Sequence, residues 1–140
     1  MIGVVFATHA RLAESLLDNA RGVVANATRY VAVEIREGDT TESYEKRLRE
    51  AVVQVGGANG VLLLTDMFGG TPSNVGLTLH KVGSVEVLTG ANLPMAIKAL
   101  QLSVKDVDLA TAARQVKEAG QRSIAVASEV LGGQTKESAG

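Results

Sequence analysis

Apolar residues along this chain fall into short, nearly continuous runs, separated by longer stretches where they recur every three or four positions. Ile2–Ala7 is the first run and predicts a strand buried on both faces. Helical spacing follows over Arg11–Val24, where Leu12, Leu16, Ala20 and Val23 share a stripe that Leu17 and Val24 widen. Tyr30–Ile35, rich in Val and Ile, predicts a second strand. Glu37-Gly38-Asp39 is turn chemistry. Thr41–Val55 predicts a helix with Tyr44, Leu48, Val52 and Val55 facing inward. Its other face carries Glu42, Glu45, Lys46, Arg49 and Glu50, and Thr41 is its expected cap.

Val61–Thr65 predicts a third buried strand, after an exit loop marked by Gly56, Gly57 and Gly60. A polar, glycine-rich stretch, Asp66–Asn74, comes next. Pro72 suits the first turn of a helix running from Thr71 to about His80. Val85–Leu88 is a fourth strand. Asn92–Leu100 is a short helix with Pro94 near its start, and Asp106–Ala119 a longer one stopping near Gly120. Ser123–Ser128 alternates small polar with apolar residues and fits a last strand, although Val116, Ser123, Ala127 and Val130 also match helical spacing. Strands alternating with helices imply a parallel sheet covered on both faces, and right-handed crossovers make it a doubly wound α/β open sheet. One domain over residues 1–131 is expected, with 132–140 as a flexible tail.

Composition narrows the function. At 140 residues the chain suits a single core, and a hydrophobic share of 46% is enough to build one. Aromatic residues are only 3%, so Val, Leu, Ile and Ala must fill it. Net charge is −1 with no basic cluster, which argues against a nucleic-acid surface. There are no cysteines, excluding disulfides, thiolate metal sites and Cys nucleophiles. With two histidines, a zinc site is not expected. The start lacks a basic n-region, and no apolar run is long enough to span a bilayer, so a cytoplasmic location is expected.

Chemistry in an open α/β sheet belongs outside the carboxyl ends of the strands. Two strand ends here carry reactive groups: Thr8-His9-Ala10 after the first, and Asp66 with the Gly-Gly-Thr-Pro-Ser turn after the third. If those strands are neighbours, His9 and Asp66 face one another. A carboxylate that accepts from one ring nitrogen fixes the tautomer and leaves the other nitrogen's lone pair as a nucleophile. The turn would supply an anion cradle from the backbone of Phe68, Gly69 and Gly70, the hydroxyls of Thr71 and Ser73, and a helix N-terminus. Together these describe phosphoryl transfer, with His9 and Asp66 as catalytic residues and no metal or cofactor.

Taken singly, each feature has a plainer reading: His9 as a turn residue, Asp66 as a turn start, Gly69-Gly70 as punctuation. His80 reads as structural or solvated, and Arg11 as a surface residue. A Walker P-loop, a G-x-G-x-x-G fingerprint and a G-x-S-x-G elbow are all missing. A receiver-like domain phosphorylated on Asp66 would need an acidic pair at the end of the first strand, where Ala7-Thr8-His9 stands instead.

At these residues the chain resembles the EIIA component of the mannose-family sugar phosphotransferase system (PTS). The resemblance rests on Ile2–His9, on Gly60–Asn74 with its Asp, aromatic, Gly-Gly, Thr, Pro and Asn, and on Thr89–Met95. It implies a four-stranded parallel sheet of order 2-1-3-4 with a C-terminal antiparallel strand, sometimes exchanged between subunits of a homodimer. That favours a strand at Ser123–Ser128. It implies a phosphohistidine at His9, with Asp66 as orienting carboxylate and the turn's hydroxyl on Thr71. Phosphate would come from HPr and pass to an EIIB partner, with the membrane engaged only indirectly through EIIC and EIID. Met67 stands where polar residues are common in the family. A regulatory phosphohistidine module, or a dihydroxyacetone-type relay component without its own sugar permease, would look the same at these positions.

Overall fold

The computed structural model describes residues 1–132. Its elements alternate: β1 (Gly3–Thr8), α1 (Leu12–Val23), β2 (Tyr30–Glu34), α2 (Thr41–Val55), β3 (Val61–Thr65), α3 (Thr71–Thr78), β4 (Val85–Leu88), α4 (Leu93–Ser103) and α5 (Leu109–Arg122). The four strands are parallel in the order β2-β1-β3-β4, as the resemblance implied. The two central strands read as continuous apolar runs for a direct reason: every residue of β1 and β3 is buried.

The pleat divides the core in two. Val4, Phe6, Leu62 and Leu64 face α1, α4 and α5, packing on Leu16, Leu17, Ala96, Leu100, Ala112 and Val116. Val5, Ala7 and Leu63 face the other way, onto Tyr44, Leu48 and Val55 of α2 and Val75 of α3. Helices on both faces bury the alternate positions of each central strand.

Four details depart from the sequence reading. Leu12 and Val23 of α1 are exposed, and Ala13 with Leu16, Leu17, Ala20 and Val24 makes the buried stripe instead. The cap of α2 is Thr40, one residue earlier than expected. Its hydroxyl accepts the Ser43 N–H at 3.0 Å while Ser43 Oγ accepts the Thr40 N–H at 2.9 Å, a reciprocal capping box. Helix α5 runs through Gly120 to Arg122. Gly120 is required there, because a Cβ would lie 2.5 Å from Met95 Cγ. Finally, Ser123–Ser128 joins no sheet: Ile124–Val126 have no regular structure, and residues 127–132 are helical. A strand needs an edge to pair with, and this segment meets none in its own chain. Apart from Gly132, the tail expected at 132–140 lies outside the described residues.

Candidate functional site

Register brings the two reactive loops together. Ala7 of β1 lies beside Thr65 of β3, so the chains that leave the sheet as Thr8-His9 and as Asp66 emerge side by side. Thr8, fully buried, governs the first loop. Its hydroxyl donates to the His9 carbonyl at 3.1 Å and accepts the Ala13 N–H at 2.6 Å. It thereby satisfies a free N–H at the start of α1, where Arg11 provides no side-chain cap. Between them Ala10 sits at φ 47°, a left-handed conformation that costs a non-glycine residue energy. This tight turn presents both the backbone and the ring of His9 to β3.

Asp66 receives both. Its Oδ2 accepts the His9 backbone N–H at 3.0 Å and lies 2.8 Å from His9 Nδ1, while Oδ1 accepts the Met67 N–H at 3.0 Å. The carboxylate is nearly covered, with 13% of its side chain exposed, and the histidine ring is 45% exposed. Burial alone would raise the Asp66 pKa. The hydrogen bonds from His9 and the attraction of its ring outweigh that, holding the carboxyl below its ordinary value. A carboxylate at Nδ1 favours the tautomer with the proton on Nδ1 and the lone pair on Nε2.

The turn between β3 and α3 lies against that free nitrogen. A Cβ on Gly70 would come within 2.6 Å of His9 Cε1 and 3.2 Å of Nε2, so only glycine lets the ring lie on the backbone here. Gly69, at φ 88°, makes the preceding bend. Helix α3 starts immediately after, with Gly70 as its uncapped N-cap and Pro72 in its first turn. The N–H groups of Thr71 and Ser73 have no acceptor within the helix. Among the described residues the Thr71 hydroxyl has no partner.

Ser73 takes a different part from the hydroxyl donor expected of it. It is fully buried, donates to the Gly70 carbonyl at 3.0 Å and accepts the Gly69 N–H at 2.9 Å. Its single proton and the Gly69 N–H are therefore spent on shaping the turn. Asn74 Nδ2 supports the same turn by donating to the Gly69 carbonyl at 3.3 Å. Phe68 is 74% exposed, so its side chain projects to solvent and only its backbone can serve an anion.

The Thr89–Met95 stretch is architectural. Asn92 accepts the Met95 N–H at 3.1 Å as the cap of α4 and donates to the Gly120 carbonyl at 3.3 Å. The Ala91 N–H reaches the Thr65 carbonyl at 2.9 Å, tying this loop to the end of β3. His80 lies at the opposite edge of the sheet, 3.6 Å from Glu86, and Arg11 is an exposed helix-start residue 3.5 Å from Glu14. Sequence reasoning missed Thr8 and Ala10. A Thr just before a helix that lacks its own cap was the available signal for the first. Among the described residues no three His, Cys, Asp or Glu side chains cluster as a metal site, and no helix is long and apolar enough to cross a membrane.

An open parallel sheet with a His–Asp pair at its central strand ends, set over a helix N-terminus, defines an α/β phosphotransfer domain. A family model described as the PTS system fructose IIA component, EIIA-man, matches residues 3–117, and the chain belongs to that family. It is 25% identical to the fructose-specific EIIA component of Bacillus subtilis over 132 residues, covering 94% of this chain and 90% of that one. It is 28% identical over 101 residues to the mannose-specific EIIAB component of Escherichia coli K12, covering 71% of this chain but 31% of that longer protein. The fold is similar to that of the EIIA component from Streptococcus agalactiae, with a TM-score of 0.81 at 22% identity over 92% of this chain and 99% of the other. As a family member the chain is a phosphotransferase with a phosphohistidine intermediate, relaying a phosphoryl group from HPr to EIIB.

Proposed function

We propose that His9 is the phosphorylated residue and that Nε2 is its nucleophilic atom. The observation that carries this is the 2.8 Å contact of Nδ1 with Asp66, which leaves Nε2 as the nitrogen with a free lone pair. In the forward step Nε2 attacks the phosphorus of the HPr phosphohistidine. The donor's N–P bond breaks as the new N–P bond forms, and Asp66 balances the positive charge that grows on the ring. The transferred group enters the cradle made by the Gly70, Thr71 and Ser73 N–H groups, the Thr71 hydroxyl and the α3 dipole. Phe68 and Gly69 shape the mouth of this cradle, and Ser73 Oγ braces it from below. Transfer to EIIB is the same exchange in reverse, with EIIB's nucleophile attacking the phosphorus on His9.

Incubation with phosphoenolpyruvate, enzyme I and HPr tests the assignment. The wild type is expected to take up acid-labile, base-stable label, and His9→Ala none. Label retained by the alanine variant would remove His9 from the role.

The same reading includes a single domain over residues 1–131 that works as a homodimer. Ile124, Val126 and Val130 are exposed at 77%, 56% and 51%, an apolar segment that a second copy would cover by pairing with the open edge of β4. Light scattering after size exclusion should give twice the 14.5 kDa chain mass, and Ile124→Asp should shift it toward the monomer. A wild type that is monomeric at all concentrations would refute the dimer.

A further inference from the structure

Three of the four buried polar residues among those described, Thr8, Thr65 and Ser73, stand at the strand ends and the turn that carry the site, and only Ser103 lies elsewhere, at the end of α4. Burying a hydroxyl costs free energy unless its bonds are met, so each placement needs a local reason. Ser73 has the turn to shape. Thr65 meets the Leu88 carbonyl at 3.4 Å. Thr8 is the one whose bonds lead straight to His9.

Those bonds close around Ala10. On one side of it the Thr8 hydroxyl donates to the His9 carbonyl at 3.1 Å, and on the other it accepts the Ala13 N–H at 2.6 Å. Ala10 holds φ 47° between them, a conformation that persists in a non-glycine residue only where its surroundings fix it. The Leu12 N–H adds a longer contact to the same carbonyl, 3.4 Å. His9 is thereby gripped on both sides of its Cα: its N–H by Asp66 from β3, its carbonyl by Thr8 from within the loop. The tolerance at the ring is small, because it rests so closely on Gly70 that an added Cβ would lie 2.6 Å from Cε1.

We infer that Thr8 is a positioning residue for phosphotransfer, its buried hydroxyl holding the His9 backbone so that Nε2 meets the incoming phosphorus in line. This rests on the reading of His9 above. Asp66 by itself leaves His9 a pivot, because both of its bonds to that residue run through one oxygen, Oδ2. The Thr8 bond, on the far side of the Cα, removes that freedom. The task needs a hydroxyl, since one atom must donate to a carbonyl and accept from an N–H. Serine can do this, and valine, of nearly the same shape as threonine, cannot.

The test compares Thr8→Val and Thr8→Ser with the wild type by the initial rate of label uptake over a range of phospho-HPr concentrations. Thr8→Val should lower kcat roughly 10- to 100-fold, the scale of a misplaced reacting group. KM should stay within about 2-fold, because Thr8 is fully buried and offers no surface to a partner. Thr8→Ser should recover most of the lost kcat. Burial raises the Asp66 carboxyl, and the hydrogen bonds from His9 hold it below its ordinary value. In Thr8→Val it should titrate closer to that ordinary value as those bonds loosen, and in Thr8→Ser it should not. A folded valine variant with wild-type kcat would overturn the inference. So would a serine variant as slow as the valine one, or a raised KM at unchanged kcat. If Thr8→Val does not fold, the wild type decides: its Ala13 amide, at the start of α1, should exchange slowly with deuterium, and exchange as fast as an open N–H would overturn the inference. Label retained by His9→Ala would instead refute the site assignment, a result the threonine variants cannot produce.

Discussion

One carboxylate oxygen, Asp66 Oδ2, holds His9 twice, by its backbone N–H at 3.0 Å and by its ring Nδ1 at 2.8 Å. The double attachment fixes the ring's position and its tautomer together. Asp66→Asn separates the two. An amide oxygen can still accept the backbone N–H, so the loop should hold, but the ring loses its charged partner. Phosphorylation by phospho-HPr should slow by about 10²- to 10⁴-fold, the range seen when an orienting carboxylate is neutralised. Stability at neutral pH should fall by no more than the contribution of the charged carboxylate, the same part that the wild type loses in acid. Rapid-quench labelling alongside urea unfolding would check both halves.

The same contact carries a pH signature. The Asp66 carboxyl is lowered in the folded state from its ordinary 3.8. A lowered acid stabilises the fold fully above its unfolded pKa, and that contribution is lost as pH falls through the folded value. Melting temperature should therefore show no loss from this group above about pH 4 and a decline below it. In Asp66→Asn that part of the decline should be missing. An identical acid slope in both proteins would mean that Asp66 is not held by His9 in solution.

Gly69 and Gly70 look alike in sequence and should behave differently. A Cβ at Gly70 collides with the His9 ring at 2.6 Å, so Gly70→Ala must displace the ring and should cost most of the phosphorylation rate. A Cβ at Gly69 meets nothing within 4 Å, but its φ of 88° strains any L residue. Gly69→Ala should then cost about 1–2 kcal/mol of stability while leaving the chemistry largely intact. Denaturation and labelling of the two variants should show opposite patterns.

The main elements and the His9–Asp66 pairing were legible because each had a strong local signal. β1 and β3 are unbroken apolar runs since both their faces are covered, and their carboxyl ends are where open sheets place chemistry. What was missed depended on contacts far apart in sequence. The inward stripe of α1 turns on Ala13, and an alanine carries no polarity signal to say that the sheet lies against it. The strand expected at Ser123–Ser128 needs an edge from beyond its own fold. Ser73 was assigned to the ligand because hydroxyl chemistry is visible in sequence, whereas its capture by Gly69 and Gly70 is a matter of turn geometry.

The cap of α2 offers a stability test of such geometry. Thr40 and Thr41 are adjacent and chemically identical, yet Thr40 accepts the Ser43 N–H and Thr41 is already helical. Thr40→Ala should cost about 1 kcal/mol. Thr41→Ala should stay within about 0.5 kcal/mol, as exposed substitutions do. Equal effects would place the cap elsewhere. Because the Thr40 side chain bonds Ser43 and touches neither His9 nor Asp66, the Thr40 variant should also leave label uptake close to wild type.

The last prediction concerns how partners reach His9. The loops that carry His9 and Asp66 also hold three exposed apolar side chains, Leu12 at 44%, Met67 at 55% and Phe68 at 74%. None contributes to the core, and each lies within three residues of His9 or Asp66. A donor that brings its phosphohistidine to Nε2 is expected to contact them, since exposed aromatic anchors commonly carry a disproportionate share of binding energy. Phe68→Ala should leave stability within about 0.5 kcal/mol. It should raise the KM for phospho-HPr by roughly 10-fold or more, corresponding to about 1.4 kcal/mol, with kcat changed far less. Arg11→Ala, which removes an exposed charge 3.5 Å from Glu14, should have a smaller effect that fades with added salt. A Phe68 variant with unaltered KM but depressed kcat would instead assign this side chain to ordering the cradle, not to docking.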